Sequence, residues 1–242
     1  MGQLQSRKET ASDYDDTTSR SYEYQPEDWP WVWAVRDPDV LGWRTGLSKE
    51  DIFERQNLQH NLPVHIYGKV YLGSACSVQD LSKLKKLGIR RVLNMAGPMA
   101  LKKSTILAYK NEGFDYKRIN ALDEDFYPLL ANDWKEAHDY IHDPDQEGNV
   151  VVHCVAGLNR SVLVVAVDYM LTNQKPVLET VRHIRWQRGD DALQNEYFQE
   201  QLVAMARQSD LLGKAPGTQG SILENAEVKP EDSFPPRSRR MI

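Results

Sequence analysis

Residues 148–161 read GNVVVHCVAGLNRS, and residues 162–170 continue the chain as VLVVAVDYM. The three consecutive valines are typical of a strand buried on both faces, because such strands carry continuous branched aliphatic residues instead of polar alternation. The second stretch is apolar over more than two helical turns. Together they predict a buried strand that breaks into a tight loop and opens at once into an apolar helix over residues 159–172.

Strand-like and helix-like segments alternate on both sides of this stretch. Before it, strands are predicted at 64–73, 90–97 and 114–122, and helices at 78–87, 101–113 and 132–143; after it come helices at 177–187 and 195–207. This alternation predicts an α/β fold, with a mostly parallel central sheet flanked by helices. Ligands of such sheets bind beyond the carboxyl ends of the strands.

The 242 residues divide into four predicted segments. Residues 1–27 are polar and cannot bury enough apolar surface to offset the entropy of ordering, so they are predicted to be disordered, as is the tail at 209–242. Residues 28–62 form an ordered extension that is rich in tryptophan, and residues 63–208 form the α/β domain. The extension also carries a capping-box pattern at Ser48–Asp51, which predicts a short helix.

Four of the six tryptophans lie in the extension: Trp29, Trp31, Trp33 and Trp43. Indoles grouped in this way can form a surface for a partner or a lipid headgroup. Because large aromatic residues are highly buried on average, we favour the interpretation that they dock onto the adjacent domain as additional core.

Charge and cysteine content exclude several classes of protein. With 30 Lys and Arg against 35 Asp and Glu, the net charge is −5, which disfavours nonspecific binding of nucleic acid. Cys76 and Cys154 show no paired spacing, which argues against a disulfide scaffold or a cysteine-rich zinc site and favours a reducing, cytoplasmic compartment. The sequence has neither a long apolar span nor a secretory h-region, so we expect no transmembrane segment and no signal peptide.

The loop after the valine strand has the features of an anion-binding site. A helix N-terminus presents unpaired N–H groups and the positive end of its dipole, and Gly157 permits a turn that points successive amides inward. Cys154 at the strand end therefore lies in a positive field, which favours the thiolate form. Arg160 can hold two oxygens of a tetrahedral anion with its planar guanidinium. A thiolate and an arginine are thus predicted to face one phosphate.

The pattern His153-Cys154-x5-Arg160-Ser161 resembles the motif of the cysteine-dependent protein tyrosine phosphatase superfamily. Residues 64–208 are similar to its small dual-specificity phosphatase domain, through the segments VYLGS (70–74), QDL (79–81), LGI (87–89) and VLN (92–94). The resemblance implies an enzyme that needs no cofactor and no metal. It covers about three-fifths of the chain and leaves the first 60 residues and the tail outside.

The resemblance also implies a role for each residue of the motif. Cys154 would attack phosphorus, Arg160 would hold the equatorial oxygens, Ser161 would donate to the departing thiolate, and His153 would orient the loop. The amides of the phosphate-binding loop would bind the remaining oxygens, and that loop comprises Val155, Ala156, Gly157, Leu158, Asn159 and Arg160.

A general acid is expected on a loop beside this site, because the leaving oxygen needs a proton. The acidic cluster there is Asp123-Glu124-Asp125, and Asp123 fits the family pattern best because it follows Ala121-Leu122. Asp125 is the alternative.

The function implied is a protein phosphatase acting on phosphotyrosine and on phosphoserine or phosphothreonine, with a phosphorylated protein as its partner and with no nucleic acid expected. An RNA 5′-phosphatase stays open, because Asn159 just before the arginine is similar to that branch of the superfamily. A phosphoprotein-binding pseudophosphatase is the other alternative, although the chain retains the cysteine, the arginine and an acid.

Several weaker patterns remain. His138 and His142 have the spacing of a metal-binding pair, but no third ligand is evident, and we interpret them as the wet side of an amphipathic helix. Cys76 is either a packed thiol or a redox partner of Cys154. Gln194 and Asn195 either contact substrate or cap the last helix.

The first six residues, MGQLQS, match the pattern for myristoylation of Gly2. A single myristoyl chain gives only marginal membrane binding. We therefore expect reversible membrane association together with a cytosolic pool.

Overall fold

A computed structural model describes residues 22, 24–37 and 62–217. The predictions for Gly2, Trp43 and the capping box at Ser48–Asp51 fall outside the described residues, as do most of the predicted N-terminal segment and C-terminal tail.

Five strands form one sheet in the order β1-β2-β5-β3-β4. Their bounds are Val64–Tyr67 (β1), Val70–Ser74 (β2), Ile89–Asn94 (β3), Asp115–Arg118 (β4) and Asn149–Cys154 (β5). Strands β2, β5, β3 and β4 run parallel, and only β1 at the edge is antiparallel to its neighbour. The predicted α/β fold with a mostly parallel sheet is confirmed.

Seven α-helices are described around this sheet: Trp29–Arg36 (α1), Leu81–Lys86 (α2), Lys103–Asn111 (α3), Leu129–Ile141 (α4), Arg160–Asn173 (α5), Val177–Arg188 (α6) and Glu196–Gln208 (α7). Short 3-10 helices span Pro26–Asp28 and Ser77–Gln79. None of the helices described here is both long and apolar enough to cross a membrane.

The valines of β5 explain why this strand lies at the centre of the sheet. Val150 and Val152 pack with the helices on one face, whereas Val151 belongs to a separate buried cluster on the other face. Successive side chains of a strand point to opposite faces, so a strand covered on both sides must be apolar at every position. The central position of β5 places Cys154 at the carboxyl edge of the sheet.

Helix α1 docks on the domain, as predicted for the extension, but the tryptophans contribute less than expected. Val32, Ala34 and Val35 are fully buried in the main core, whereas Trp29 and Trp33 remain 46% and 50% exposed. The helix contacts the core through these aliphatic residues and through Trp31, which is partly buried against it. The interpretation as core is therefore wrong for Trp29 and Trp33 but not for Trp31.

Ion pairs link α7 to α1 and to the 3-10 helix that precedes it. Asp28 is completely buried and binds Arg207, and Arg36 lies 2.6 Å from Glu200.

Two predicted segment boundaries also need correction. Residues 26–28 form a 3-10 helix and Tyr22 and Tyr24 pack against the core, so order begins before residue 28. Leu211 is buried, and its carbonyl accepts a hydrogen bond from Val177, so the first residues after 208 belong to the folded domain. Each boundary residue is anchored by contacts with distant parts of the chain, which local composition does not reveal.

The strand predicted at 64–73 is two strands. The chain reverses at Gly68, where φ is +46°, and β1 returns antiparallel to β2. A positive φ is readily adopted by glycine, and this explains the turn in an otherwise continuous strand-like run.

Candidate active site

The phosphate-binding loop lies between the end of β5 at Cys154 and the start of α5 at Arg160. Gly157 adopts a φ of +71°, and a Cβ built there would meet the carbonyl oxygen of Gly73 at 2.4 Å. The loop is also tied to the β2 side by a hydrogen bond of 2.9 Å from the amide of Ala75 to the carbonyl of Val155. Gly157 therefore serves both the turn and the close approach of the loop to β2.

Cys154 lies at the bottom of this loop, where its side chain is buried. Its Sγ accepts hydrogen bonds of 3.3 Å from the amide of Gly157 and from the hydroxyl of Ser161. Burial alone would raise the pKa of the thiol, but hydrogen bonds from Ser161 and Leu158 and the charge of Arg160 outweigh it, so the pKa of Cys154 lies below its usual value. The site therefore favours the thiolate form of Cys154.

Arg160 and Asp123 lie beside one another above the loop. The Nε atom of Arg160 is 3.5 Å from an oxygen of Asp123, and Nη1 donates to the carbonyl of Ala121 at 3.3 Å. The Asp123 carboxylate also accepts long hydrogen bonds from the side-chain amides of Asn159 (3.5 Å) and Asn195 (3.4 Å). Asp123 is thus the member of the acidic cluster that contacts the loop, whereas Asp125 is exposed and makes no hydrogen bond or ion pair within the described part of the chain.

Asn159 and Asn195 connect the loop to the segment before α7. The Oδ1 atom of Asn159 accepts hydrogen bonds from the amides of Gln194 (2.9 Å) and Asn195 (3.1 Å). The amide of Leu193 donates to the carbonyl of Leu158 at 2.7 Å. Asn195 also caps α7 by accepting from the amide of Phe198. It therefore has a capping role and also a direct contact with Asp123.

Arg188, near the end of α6, is a site residue that the sequence analysis did not identify. Its buried guanidinium donates to the carbonyls of Gly157 at 2.9 Å and of Ala156 at 3.1 Å. Burial holds the pKa of this arginine below its usual value, and the nearby Cys154 offsets only part of this effect. Because Arg188 binds these two carbonyls on one side of the loop, the loop amides can point to the opposite side, toward Cys154. Neither the sequence around Arg188 nor its distance of 31 positions from Gly157 indicates this contact.

His153 is completely buried, and its Nδ1 lies 3.0 Å from the carbonyl oxygen of Cys154. Burial lowers the pKa of this histidine to about 4, so the ring is neutral near pH 7. A carbonyl can only accept, and Nδ1 therefore donates the proton. This bond fixes the backbone of Cys154 and agrees with the orienting role that the resemblance implies for His153.

A shallow pocket lies beside the loop. Its lining residues include Ser74, Cys76, Ser77, Val155, Ala156 and Arg188. Cys76 is exposed and free, so it is not the packed thiol that was one of its two interpretations. Val155 and Ala156 are exposed on the same surface.

Comparisons with known proteins match this chain to phosphatases. The family model for the dual specificity phosphatase catalytic domain matches residues 70–208. The human dual specificity protein phosphatase 9 is 32% identical over 165 residues, which are 68% of this chain and 41% of that protein. The rat dual specificity protein phosphatase 26 is 27% identical over 65% of this chain and 76% of its own length.

Solved structures give the same fold. DUSP15 has a TM-score of 0.50 at 24% identity, over 61% of this chain and 90% of its own. The human tyrosine phosphatase-like serine/threonine/tyrosine-interacting protein also has a TM-score of 0.50, at 20% identity, over 61% of this chain and 94% of its own. The family match covers more than half of the chain and includes the loop built around Cys154 and Arg160, and the chain therefore belongs to the dual-specificity phosphatase family within the protein tyrosine phosphatase superfamily.

Proposed function

We propose that this chain hydrolyses phosphate monoesters on tyrosine and on serine or threonine side chains of proteins, through a cysteinyl-phosphate intermediate. The observation that carries the proposal is the environment of the Cys154 sulfur, which accepts two hydrogen bonds of 3.3 Å directly beside Arg160. Both contacts stabilise a thiolate more than a thiol. The family to which the chain belongs supports the same activity.

In the first step, the Cys154 thiolate attacks phosphorus, so a sulfur–phosphorus bond forms as the phosphorus–oxygen ester bond breaks. The phosphoryl oxygens take the place of Asp123 as partners of the Arg160 guanidinium, which binds two of them at once. Once released from this ion pair, Asp123 takes up a proton from solvent and enters the reaction as the carboxylic acid, which donates this proton to the leaving oxygen.

In the second step, water attacks the phosphorus of the cysteinyl-phosphate, and the Asp123 carboxylate accepts a proton from it. The sulfur–phosphorus bond breaks and inorganic phosphate leaves. The hydroxyl of Ser161, which donates to the sulfur at 3.3 Å, stabilises the departing thiolate. Cys154 returns to the thiolate and Asp123 to the carboxylic acid form in which it entered the reaction, so water is the only other reactant consumed.

A singly phosphorylated side chain is the substrate class that the loop favours. The variable loop positions Val155, Ala156, Leu158 and Asn159 carry no Lys or Arg, and a polyphosphorylated ligand would need additional positive charge. The Asn159 side chain, which suggested an RNA 5′-phosphatase, is occupied with Asp123, Gln194 and Asn195. That residue consequently gives no separate support for an RNA substrate.

Three variants test the mechanism on a phosphotyrosyl peptide. Cys154→Ser should abolish turnover but still bind phosphate ligands, because the loop amides remain. Asp123→Asn should lower kcat by about 10² to 10⁴ fold, the range for general acid catalysis, and should affect esters with good leaving groups less. The matched control is Asp125→Asn, which should keep normal activity. Turnover in Cys154→Ser would refute the mechanism, whereas a slow Asp125→Asn with a normal Asp123→Asn would move the acid by two residues.

The substrate class is tested separately with the wild-type protein. Phosphotyrosyl and phosphothreonyl peptides, a phosphoinositide and a 5′-triphosphorylated RNA are compared by kcat/KM. The highest value for one of the peptides is expected. A preference for the RNA would replace the protein substrate by the alternative, and binding of phosphopeptide without turnover of any ester would indicate a pseudophosphatase.

A cytoplasmic location with reversible membrane association is a further part of the proposal. It rests on the match of residues 1–6 to the myristoylation pattern and on the small number of cysteines. One acyl chain gives an association constant of roughly 10⁴ per molar, which leaves a substantial free pool.

A further inference from the structure

Two histidines and an aspartate form a cluster on helices α4 and α5, outside the phosphate-binding loop. His138 lies in α4, His142 directly follows its last residue, and Asp168 lies in the middle of α5. His138 Nδ1 is 3.0 Å and His142 Nε2 is 2.9 Å from the same oxygen of Asp168. The two histidines are therefore more than the solvent-facing side of an amphipathic helix, because Asp168 of α5 supplies a third potential ligand that the sequence does not reveal.

The cluster is fixed on one side and open on the other. Asp168 is completely buried, whereas the His138 and His142 side chains are 42% and 39% exposed. The hydroxyl of Tyr67 in β1 donates to the second oxygen of Asp168, which orients this carboxylate. One potential ligand atom from each of His138, His142 and Asp168 lies within 4.8 Å of the other two. An ion can approach from solvent and meet a carboxylate that is already oriented.

We propose that His138, His142 and Asp168 bind one Zn²⁺ ion. Zinc is coordinated tetrahedrally by imidazole nitrogens and carboxylate oxygens at about 2.0–2.2 Å, which places neighbouring ligand atoms about 3.3 Å apart. The measured nitrogen–oxygen separations of 2.9 and 3.0 Å are close to this value. Because both imidazoles are partly exposed, rotations of their rings can bring the three ligand atoms, which lie within 4.8 Å of one another, to tetrahedral spacing. Water takes the fourth position.

The ligand types select among metal ions. Mg²⁺ and Ca²⁺ prefer oxygen ligands alone, so two imidazoles disfavour them. Imidazole with carboxylate suits Zn²⁺ and the neighbouring transition metals. The Tyr67 hydroxyl has the position of an outer group that holds a ligating carboxylate, and loss of such groups typically costs 10–100 fold in metal affinity.

The bound ion would connect two elements that flank the active site. Helix α4 begins at Leu129, six residues after Asp123, and α5 begins at Arg160. Asp168 lies eight residues along α5 from Arg160, which corresponds to about 12 Å of helix. The ion would therefore stabilise the end of α4 against the middle of α5 without contacting the phosphate.

Calorimetric titration of the full chain with Zn²⁺ tests the proposal. The titration uses the Cys154→Ser background, because the active-site thiolate is itself a zinc ligand. One tight equivalent is expected, and His138→Gln and His142→Gln should each lower its affinity by at least about 100 fold, the upper end of the range for outer groups. Tyr67→Phe should lower it less, and Mg²⁺ should not compete. The matched control is His65→Gln, which changes an exposed histidine of β1 outside the cluster.

Thermal melting supplies a second readout. Zn²⁺ should raise the melting temperature of the Cys154→Ser protein but not that of the same protein carrying His142→Gln. Because Asp168→Asn alters a buried group and can unfold the chain, the exposed histidine variants decide the outcome. Equal zinc affinity in the parent, His138→Gln and His142→Gln proteins would overturn the proposal, as would the same loss in His65→Gln.

Discussion

Gly157 provides a sharp test of how the phosphate-binding loop is built, because the chain contains a matched control. Gly157 and Gly113 both have φ of +71°. A Cβ at Gly113 would have no neighbour within 4 Å, whereas at Gly157 it would lie 2.4 Å from the carbonyl oxygen of Gly73. Replacement of each glycine by alanine therefore imposes the same backbone conformation, and only Gly157→Ala adds a steric conflict.

The expected losses of stability follow from the cost of the left-handed backbone conformation and, at Gly157 alone, from the steric conflict. A left-handed conformation costs an alanine about 1–2 kcal/mol, and the stiffer unfolded chain returns about 0.4–1 kcal/mol. Gly113→Ala should thus lower the free energy of unfolding by about 1 kcal/mol. In Gly157→Ala the contact must also widen from 2.4 Å to at least 3.0 Å. Because the opposing atom belongs to the backbone of β2, the loop itself must move.

Displacement of the loop should affect catalysis more than stability. A misplacement on the order of 1 Å can lower a rate by about 10² fold. We therefore expect Gly157→Ala to lose about two orders of magnitude in kcat/KM on an aryl phosphate, while Gly113→Ala keeps its activity. Urea unfolding of both variants gives the stability difference. Equal stability and equal activity of the two variants would show that the approach of the loop to β2 is not the constraint inferred here.

Two further predictions concern groups that hold the loop and its sulfur. Ser161→Ala removes a hydrogen bond that lowers the Cys154 pKa, so that pKa should rise and the pH profile of iodoacetamide inactivation should move to higher pH; an unchanged profile would contradict the assignment. Arg188→Lys keeps the positive charge, but a single ammonium group cannot donate to the carbonyls of Gly157 and Ala156 as the planar guanidinium does. The variant should lose about 1.5–3 kcal/mol of stability in urea unfolding and at least tenfold in kcat. Wild-type values for both would contradict this role of Arg188. A third concerns Gly2: intact mass of protein made in a eukaryotic host should show a myristoyl group, and Gly2→Ala should abolish membrane partitioning, whereas an unmodified Gly2 would remove the proposal.

The sequence predicted the central part of the fold well because the information there is local. The valines of β5 and the motif from His153 to Ser161 occupy adjacent positions, and their strand, loop and helix form where predicted. The hairpin at Gly68 was missed for a related reason. Its flanking residues have the same strand-like composition, and only the φ at one glycine separates two strands from one.

The supports of the site could not be predicted, because each of them comes from a distant part of the chain. Arg188 contacts Gly157 across 31 positions, and Asn195 contacts Asp123 across 72. An arginine near the end of an amphipathic helix and an asparagine before the next helix have ordinary interpretations as a surface charge and a cap. Only the packing of α6 and α7 against the loop gives these residues their contacts with the site.

The acidic cluster after β4 shows how local sequence patterns and contacts between distant residues together identify the proposed acid. The sequence limits the proposed general acid to the short acidic segment after β4, because a loop at the carboxyl edge of the sheet is needed to reach a phosphate bound beside Cys154. The choice within that segment depends on the path of the chain after Ala121, whose carbonyl accepts from Arg160. Asp123, two residues after Ala121, lies 3.5 Å from Nε of Arg160, whereas Asp125 is exposed and has no ion pair with this arginine in the described part of the chain. A backbone contact of Arg160, the residue proposed to bind phosphate, therefore sets the register of the proposed acid.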